Sequence, residues 1–173
     1  MKLLVILRGR PTSGKTTALR TLKNKKDMKD WIFIDHSAIK TLLGKEKGKK
    51  KLHELLKKAL LTGKNILTEE TSRETLKKYI GKELKESKYK IIVFQFWVST
   101  KTALKRDVHR AKNGWHLFMG KNKIKELHKM HDERQDKEAV LVNTDKLNKK
   151  QVIEFIIKEL KKDEIKSAQP KGL

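Results

Sequence analysis

The stretch that most limits what this chain can fold into is RGRPTSGKTT, residues 8–17. It follows the apolar run LLVIL (3–7) and leads directly into ALRTL. Gly9, four residues, then Gly14-Lys15-Thr16 is the spacing of a loop that wraps a polyphosphate. Glycines let backbone N–H groups turn inward around the phosphates, and the helix that follows points its positive end at the same place. Lys15 supplies a charge for the β and γ oxygens, and the Thr16 hydroxyl can ligate Mg²⁺. The order strand, loop, helix is the context this motif needs. The expected phosphate-binding set is therefore Gly9, Thr12, Ser13, Gly14, Lys15, Thr16 and Thr17, flanked by Arg8 and Arg10.

Beyond the loop, apolar runs of strand length alternate with helical spacing. WIFID (31–35), NILTE (65–69), KIIVFQFWV (90–98) and AVLVNT (139–144) read as four further strands, the third of these central. Helices are expected over 14–22, 37–43, 52–61, 72–87, 99–112, 123–134 and 149–162, with Ser99 or Thr100 capping the fifth. GKEKGKKK (44–51), polar and glycine-interrupted, reads as a loop, and NGWHLFMGKN (113–122) as irregular. The pattern predicts an α/β fold, with a five-stranded, mostly parallel sheet covered by helices on both faces. A single domain over 1–162 and a frayed tail over 163–173 follow, since neither repeat nor linker interrupts the alternation.

Composition narrows the partners. Lys and Arg number 44 against 21 Asp and Glu, a net charge of +23. An excess of this size points to a polyanion, RNA before DNA, rather than to balanced ion-pair networks. Without cysteine there is neither a disulfide framework nor a thiolate metal site. The N-terminal apolar run is too short for a secretory signal, and a cytoplasmic protein is expected. The histidines do not form a compelling metal set; Trp31 and Trp97 read as core, and Trp115 or Phe118 as a packing cluster or a base-stacking surface.

The chemistry-bearing residues fall at strand ends, where open α/β sheets bind ligands. Asp35 closes FID and can take the proton of an attacking hydroxyl, or cap the helix that follows. Glu69 and Glu70 close the next strand, and Glu70 is expected to reach Mg²⁺ through a water. Arg106 and Arg110 are four apart, so they share one helix face, and rigid guanidinium forks suit phosphate oxygens.

Taken together, GRPTSGKTT, FID, EETSR, KRDVHR and VNT, in this order over about 140 residues, resemble the P-loop kinase superfamily, most closely its polynucleotide 5′-hydroxyl kinase branch. The resemblance implies a P-loop kinase fold with a helical lid near 99–122, ATP as donor and Mg²⁺ as its partner. It implies Lys15, Asp35, Arg106 and Arg110 as the catalytic set, Asp35 deprotonating a 5′-hydroxyl and the arginines steadying the transferred phosphoryl. Thr144, in VNT, would lie near adenine. That family often holds the acceptor with an arginine three residues after the base. Here that position is Ala38, so His36, Lys40 and Arg73 are the expected acceptor contacts. A kinase of a small molecule or nucleotide, and a tRNA-binding P-loop ATPase, are the alternatives.

Overall fold

Every residue of LLVILRG is buried, which makes Leu3–Gly9 (β1) an interior strand. The other strands are Ile32–Ile34 (β2), Ile66–Glu69 (β3), Lys90–Trp97 (β4) and Val140–Asn143 (β5). In the computed structural model, which describes residues 2–69, 71–114, 118–133 and 136–168, with side chains as far as 162, they form one sheet in the order β2-β3-β1-β4-β5. All the strand pairings are parallel. The expected mostly parallel sheet is thus parallel throughout, as near-continuous Val, Ile and Leu runs buried on both faces require.

Alternation along β1 splits its side chains between two cores. Leu3, Val5 and Leu7 pack with Phe94 and Phe96 against Leu19 and Leu22 of helix α1 (Lys15–Lys23) and Ile153 and Ile156 of helix α7 (Lys149–Ala168). Leu4 and Ile6 pack with Val93 against Leu52 and Leu56 of α3 (Lys45–Leu60) and Leu76 and Ile80 of α4 (Arg73–Ser87). Each such side chain, fully buried, contributes about 1.5–3 kcal/mol. A third, small cluster of Val98, Ala103 and Ile124 joins α5 (Thr100–Lys112) to α6 (Gly120–Glu133). The Ser99 side chain caps α5 by accepting from the Thr102 N–H. Among the described residues no helix is long and apolar enough to cross a membrane.

The expected loop over 44–51 is not one. Helix α2 (His36–Leu43) stops at Gly44, and α3 starts at once on Lys45. Gly48, Leu52, Leu56, Ala59 and Leu60 form its buried stripe. The lysines lie around that stripe as good helix formers, and their density alone had suggested a loop. Gly48 is where α2 crosses: a Cβ there would fall 3.0 Å from the Lys40 Cα. Helix α4, expected as exposed, buries Leu76, Ile80 and Leu84, and it kinks at Ile80 (φ −137°, ψ 24°). Helix α6 begins at Gly120, inside the segment read as irregular, because the buried Asp107 carboxylate accepts from the Met119 and Gly120 N–H groups. Helix α7 continues to Ala168, into the expected tail. Glu70 and Trp115 lie outside the described residues.

Candidate active site

The phosphate loop is built where β1 leaves the sheet. Gly9 has φ +135°, and a Cβ on it would lie 2.0 Å from the Phe96 carbonyl oxygen, so the strand end admits only glycine. The Arg10 N–H donates to that same oxygen at 3.2 Å. Lys15 is buried, and its Nζ donates to the Gly9 and Arg10 carbonyls at 3.0 and 2.9 Å, which folds the loop back over its own first turn. Thr12 holds a positive φ of 57°, a strained conformation for a β-branched residue. Gly14 caps α1 in the left-handed region without any side-chain bond, leaving the first N–H groups of that helix for an anion. The Ser13 Oγ is buried and has no hydrogen-bond partner among the described residues. Thr17, four residues on, is exposed. An uncapped helix start, an orphaned hydroxyl and a buried lysine fit a polyphosphate.

The carboxylate that meets this loop is Glu69. The Thr16 Oγ1 donates to its Oε2 at 2.7 Å, and the Ser37 N–H donates to its Oε1 at 3.2 Å. Glu69 is fully buried. It therefore links the α1 start to the α2 start. The sequence reading had favoured Glu70 for the metal, and that residue lies outside the described residues; strand alternation carries the signal for Glu69. Leu67 belongs to the core on the α1 side, so Glu69, two residues on, faces the same way. Among the described residues no group of three His, Cys, Asp or Glu could hold a metal. Thr16 with Glu69 fits Mg²⁺, which keeps several waters and draws other ligands from the phosphates.

Asp35 stands beside this pair at the start of α2. Its Oδ1 accepts from the Ala38 N–H at 2.8 Å, and its Oδ2 accepts from the Arg20 Nε at 2.8 Å. Partial burial works to raise its pKa; the Ala38 N–H and the Arg20 guanidinium outweigh that and hold it below the ordinary carboxylate value. Asp35 thus caps α2 and at the same time ties it to Arg20 of α1. His36, buried, and Lys40, half-buried, lie one turn apart on the same helix. Arg73, expected as an acceptor contact, donates its Nε to the buried Asp136 carboxylate at 2.7 Å, with Glu138 at 3.6 Å. The partner lies 63 residues away in sequence, beyond the reach of any motif.

The two α5 arginines differ from each other. The Arg106 guanidinium donates to the Thr12 carbonyl at 3.2 Å, the Thr144 Oγ1 at 3.0 Å and the Thr144 carbonyl at 2.8 Å. It staples the phosphate loop to the end of β5. Burial lowers its pKa, opposed by Asp145. Thr144 itself is buried and donates its hydroxyl to the Trp97 carbonyl at 3.2 Å. Arg110 is half-buried one turn further along α5. Arg10 is structural: it forms a two-pronged ion pair with Asp132, donates to the Val98 carbonyl at 2.8 Å and lies 4.9 Å from the Trp97 ring centroid.

No protein-family model and no curated protein matches the chain. Solved structures do. A sugar kinase from Janibacter sp. HTCC2649 aligns over 93% of this chain and 95% of its own, with a TM-score of 0.63 at 16% identity. A gluconokinase from Sinorhizobium meliloti 1021 aligns over 96% and 98%, with a TM-score of 0.63 at 13% identity. A chain of the Pnkp1/Rnl/Hen1 RNA repair complex aligns over 79% of this chain and 47% of its own, with a TM-score of 0.59 at 18% identity. The shared property is the fold, which is that of the P-loop kinases.

Proposed function

We propose that this chain is an ATP-dependent phosphotransferase that passes the γ-phosphate to a hydroxyl of a small molecule. The observation that carries the reading is the Glu69 bridge, which brings Thr16 of the phosphate loop within one side chain of Ser37 and Asp35. This bridge supports reading the donor and acceptor halves as one site. In the proposed reaction Asp35 accepts the proton of the acceptor hydroxyl, whose oxygen attacks the γ-phosphorus in line as the bond to the β,γ-bridging oxygen breaks and ADP leaves. Lys15 and Arg110 balance charge on the transferring group, and Arg106 fixes the lid against the loop and Thr144, on the adenine side. Thr16 and Glu69 would help to hold Mg²⁺, which would supply charge neutralisation on the phosphate oxygens. Likeness in fold to a sugar kinase and a gluconokinase supports the choice of a small acceptor.

A polynucleotide 5′-hydroxyl as acceptor is the second reading. It draws on the net charge of +23 and on the likeness to a chain of an RNA repair complex. The deciding experiment is incubation with γ-labelled ATP and Mg²⁺, offering gluconate, hexoses, nucleosides and 5′-hydroxyl single-stranded RNA and DNA. Label on a small molecule, lost in Lys15→Ala, is the expected result. Label on oligonucleotide ends alone establishes the second reading. Label released only as inorganic phosphate overturns both.

A further inference from the structure

The free edge of β2 borders an open groove of ≈ 520 Å³. Asp35 stands at one end of it, and its walls include Ile32 and Ile34 of the strand, Ala38 and Ile39 of α2, and Leu55 of α3. A space of this size is that of a small-molecule pocket, about 300–1,000 Å³. The Ile32 N–H donates inward to the Asn65 carbonyl. Alternation along the edge strand then turns the N–H and C=O of Phe33 outward, along the groove. They add one donor and one acceptor to a lining that is mostly apolar, with Asp35, Lys58 and Thr62 as its polar side chains. The cation on the lining, Lys58, is paired with Glu54 at 3.0 Å.

We infer that this groove holds the body of the acceptor, and that the acceptor is a small molecule whose hydroxyl sits on an apolar frame, a ring or a short hydrocarbon chain. The inference rests on the phosphotransferase reading, which puts the reacting hydroxyl at Asp35. Ala38, Ile39, Leu55 and Ala59 share the lining with Asp35. None of them offers a side-chain donor to a phosphate or a row of sugar hydroxyls, and a polar frame buried there would lose its water without replacement. An apolar frame gains from the same burial. The short Ala38 side chain leaves room in the groove, and the outward Phe33 amide provides a polar contact that helps to fix orientation, beside the Thr62 hydroxyl, which donates to the Ala59 carbonyl at 2.7 Å.

The probe is 4-(trifluoromethyl)benzyl alcohol, followed by its fluorine line width and as an acceptor of label from γ-labelled ATP. Gluconate and a 5′-hydroxyl oligonucleotide serve as rival acceptors. The wild-type chain is expected to broaden the fluorine line and to label this alcohol with a higher kcat/KM than either rival. Leu55→Trp fills the groove away from Asp35, and Ala38→Leu fills its mouth. Each is expected to lower kcat/KM for the alcohol about tenfold or more, with the far-ultraviolet dichroism and ATP binding reporting that the variant is folded. A sharp fluorine line with wild-type protein overturns the inference. So does an unchanged kcat/KM in both folded variants, or a rival acceptor labelled faster than the alcohol. Labelled gluconate beside unlabelled alcohol defeats this inference alone. If no acceptor is labelled while ATP still binds, the phosphotransferase reading fails and the groove loses its acceptor role with it.

Discussion

Gly9 shows how little latitude the phosphate loop has at a single position. A methyl group there would meet the Phe96 carbonyl at 2.0 Å, and the backbone already sits at φ +135°. Gly9→Ala is expected to cost about 3 kcal/mol, near the top of the ordinary range for point substitutions, measured by urea unfolding. Asp35 is the residue whose ionisation matters most. Its folded pKa is depressed, so it is ionised, and its contribution to stability present, above the unfolded value of about 3.9. That contribution disappears as pH falls through the lower folded value. Arg20→Ala removes one of the groups that depress it, so the acid limb of kcat/KM is expected to move to higher pH. Asp35→Asn is expected to lower kcat about 10²–10⁴-fold with ATP affinity retained. Wild-type turnover in that variant would remove Asp35 as the base. Strand alternation from Leu67 points to Glu69; that signal was readable in the sequence, and the Thr16–Glu69 distance gave it content.

Elements obey different limits from residues, and two helical glycines show it. A Cβ on Gly48 would lie 3.0 Å from the Lys40 Cα, where α2 crosses α3. Gly81, after the Ile80 kink in α4, has open space around it. Intrinsic propensity favours alanine at both by about 1 kcal/mol. Gly81→Ala is therefore expected to stabilise by about 0.5–1 kcal/mol. Gly48→Ala is expected to destabilise by about 1–3 kcal/mol, because α2 must shift. Denaturant midpoints for the two variants, compared with wild type, should move in opposite directions. The same crossing explains why 44–51 is helical. The lysine run has enough propensity to be helix or loop, and the contact between α2 and α3 decides.

For the whole molecule, two buried histidines set the acid side of stability. Burial lowers the His53 pKa first, and the nearby Lys49 and Lys57 lower it further. Burial and Arg10 do the same to His128, against a smaller opposing pull from Asp132. Below the unfolded value of about 6.5, the unfolded chain binds protons that these side chains refuse when folded. Stability is therefore expected to fall as pH drops from 7 towards 5. His53→Phe keeps a ring against Tyr79, whose centroid lies 4.4 Å from that of His53. It is expected to flatten part of the slope. Thermal melts across this range check the prediction, and a melting temperature independent of pH from 7 to 5 would contradict it.

Sequence alone determined the phosphate loop, the order of strands and helices, and through them the parallel α/β fold. These are local properties: a fixed spacing in GRPTSGKTT, and apolar periods that each element needs to bury its own face. Tertiary structure decided which carboxylate meets Thr16, that Arg106 staples the loop to Thr144, that Arg73 turns to Asp136, and that a groove opens beside β2. Each of these depends on a partner tens of residues away, and on which face of an element points at it. Periodicity gives the face of an element but not its neighbour across the fold, and RGRPTSGKTT can state its ligand without stating what stands opposite it.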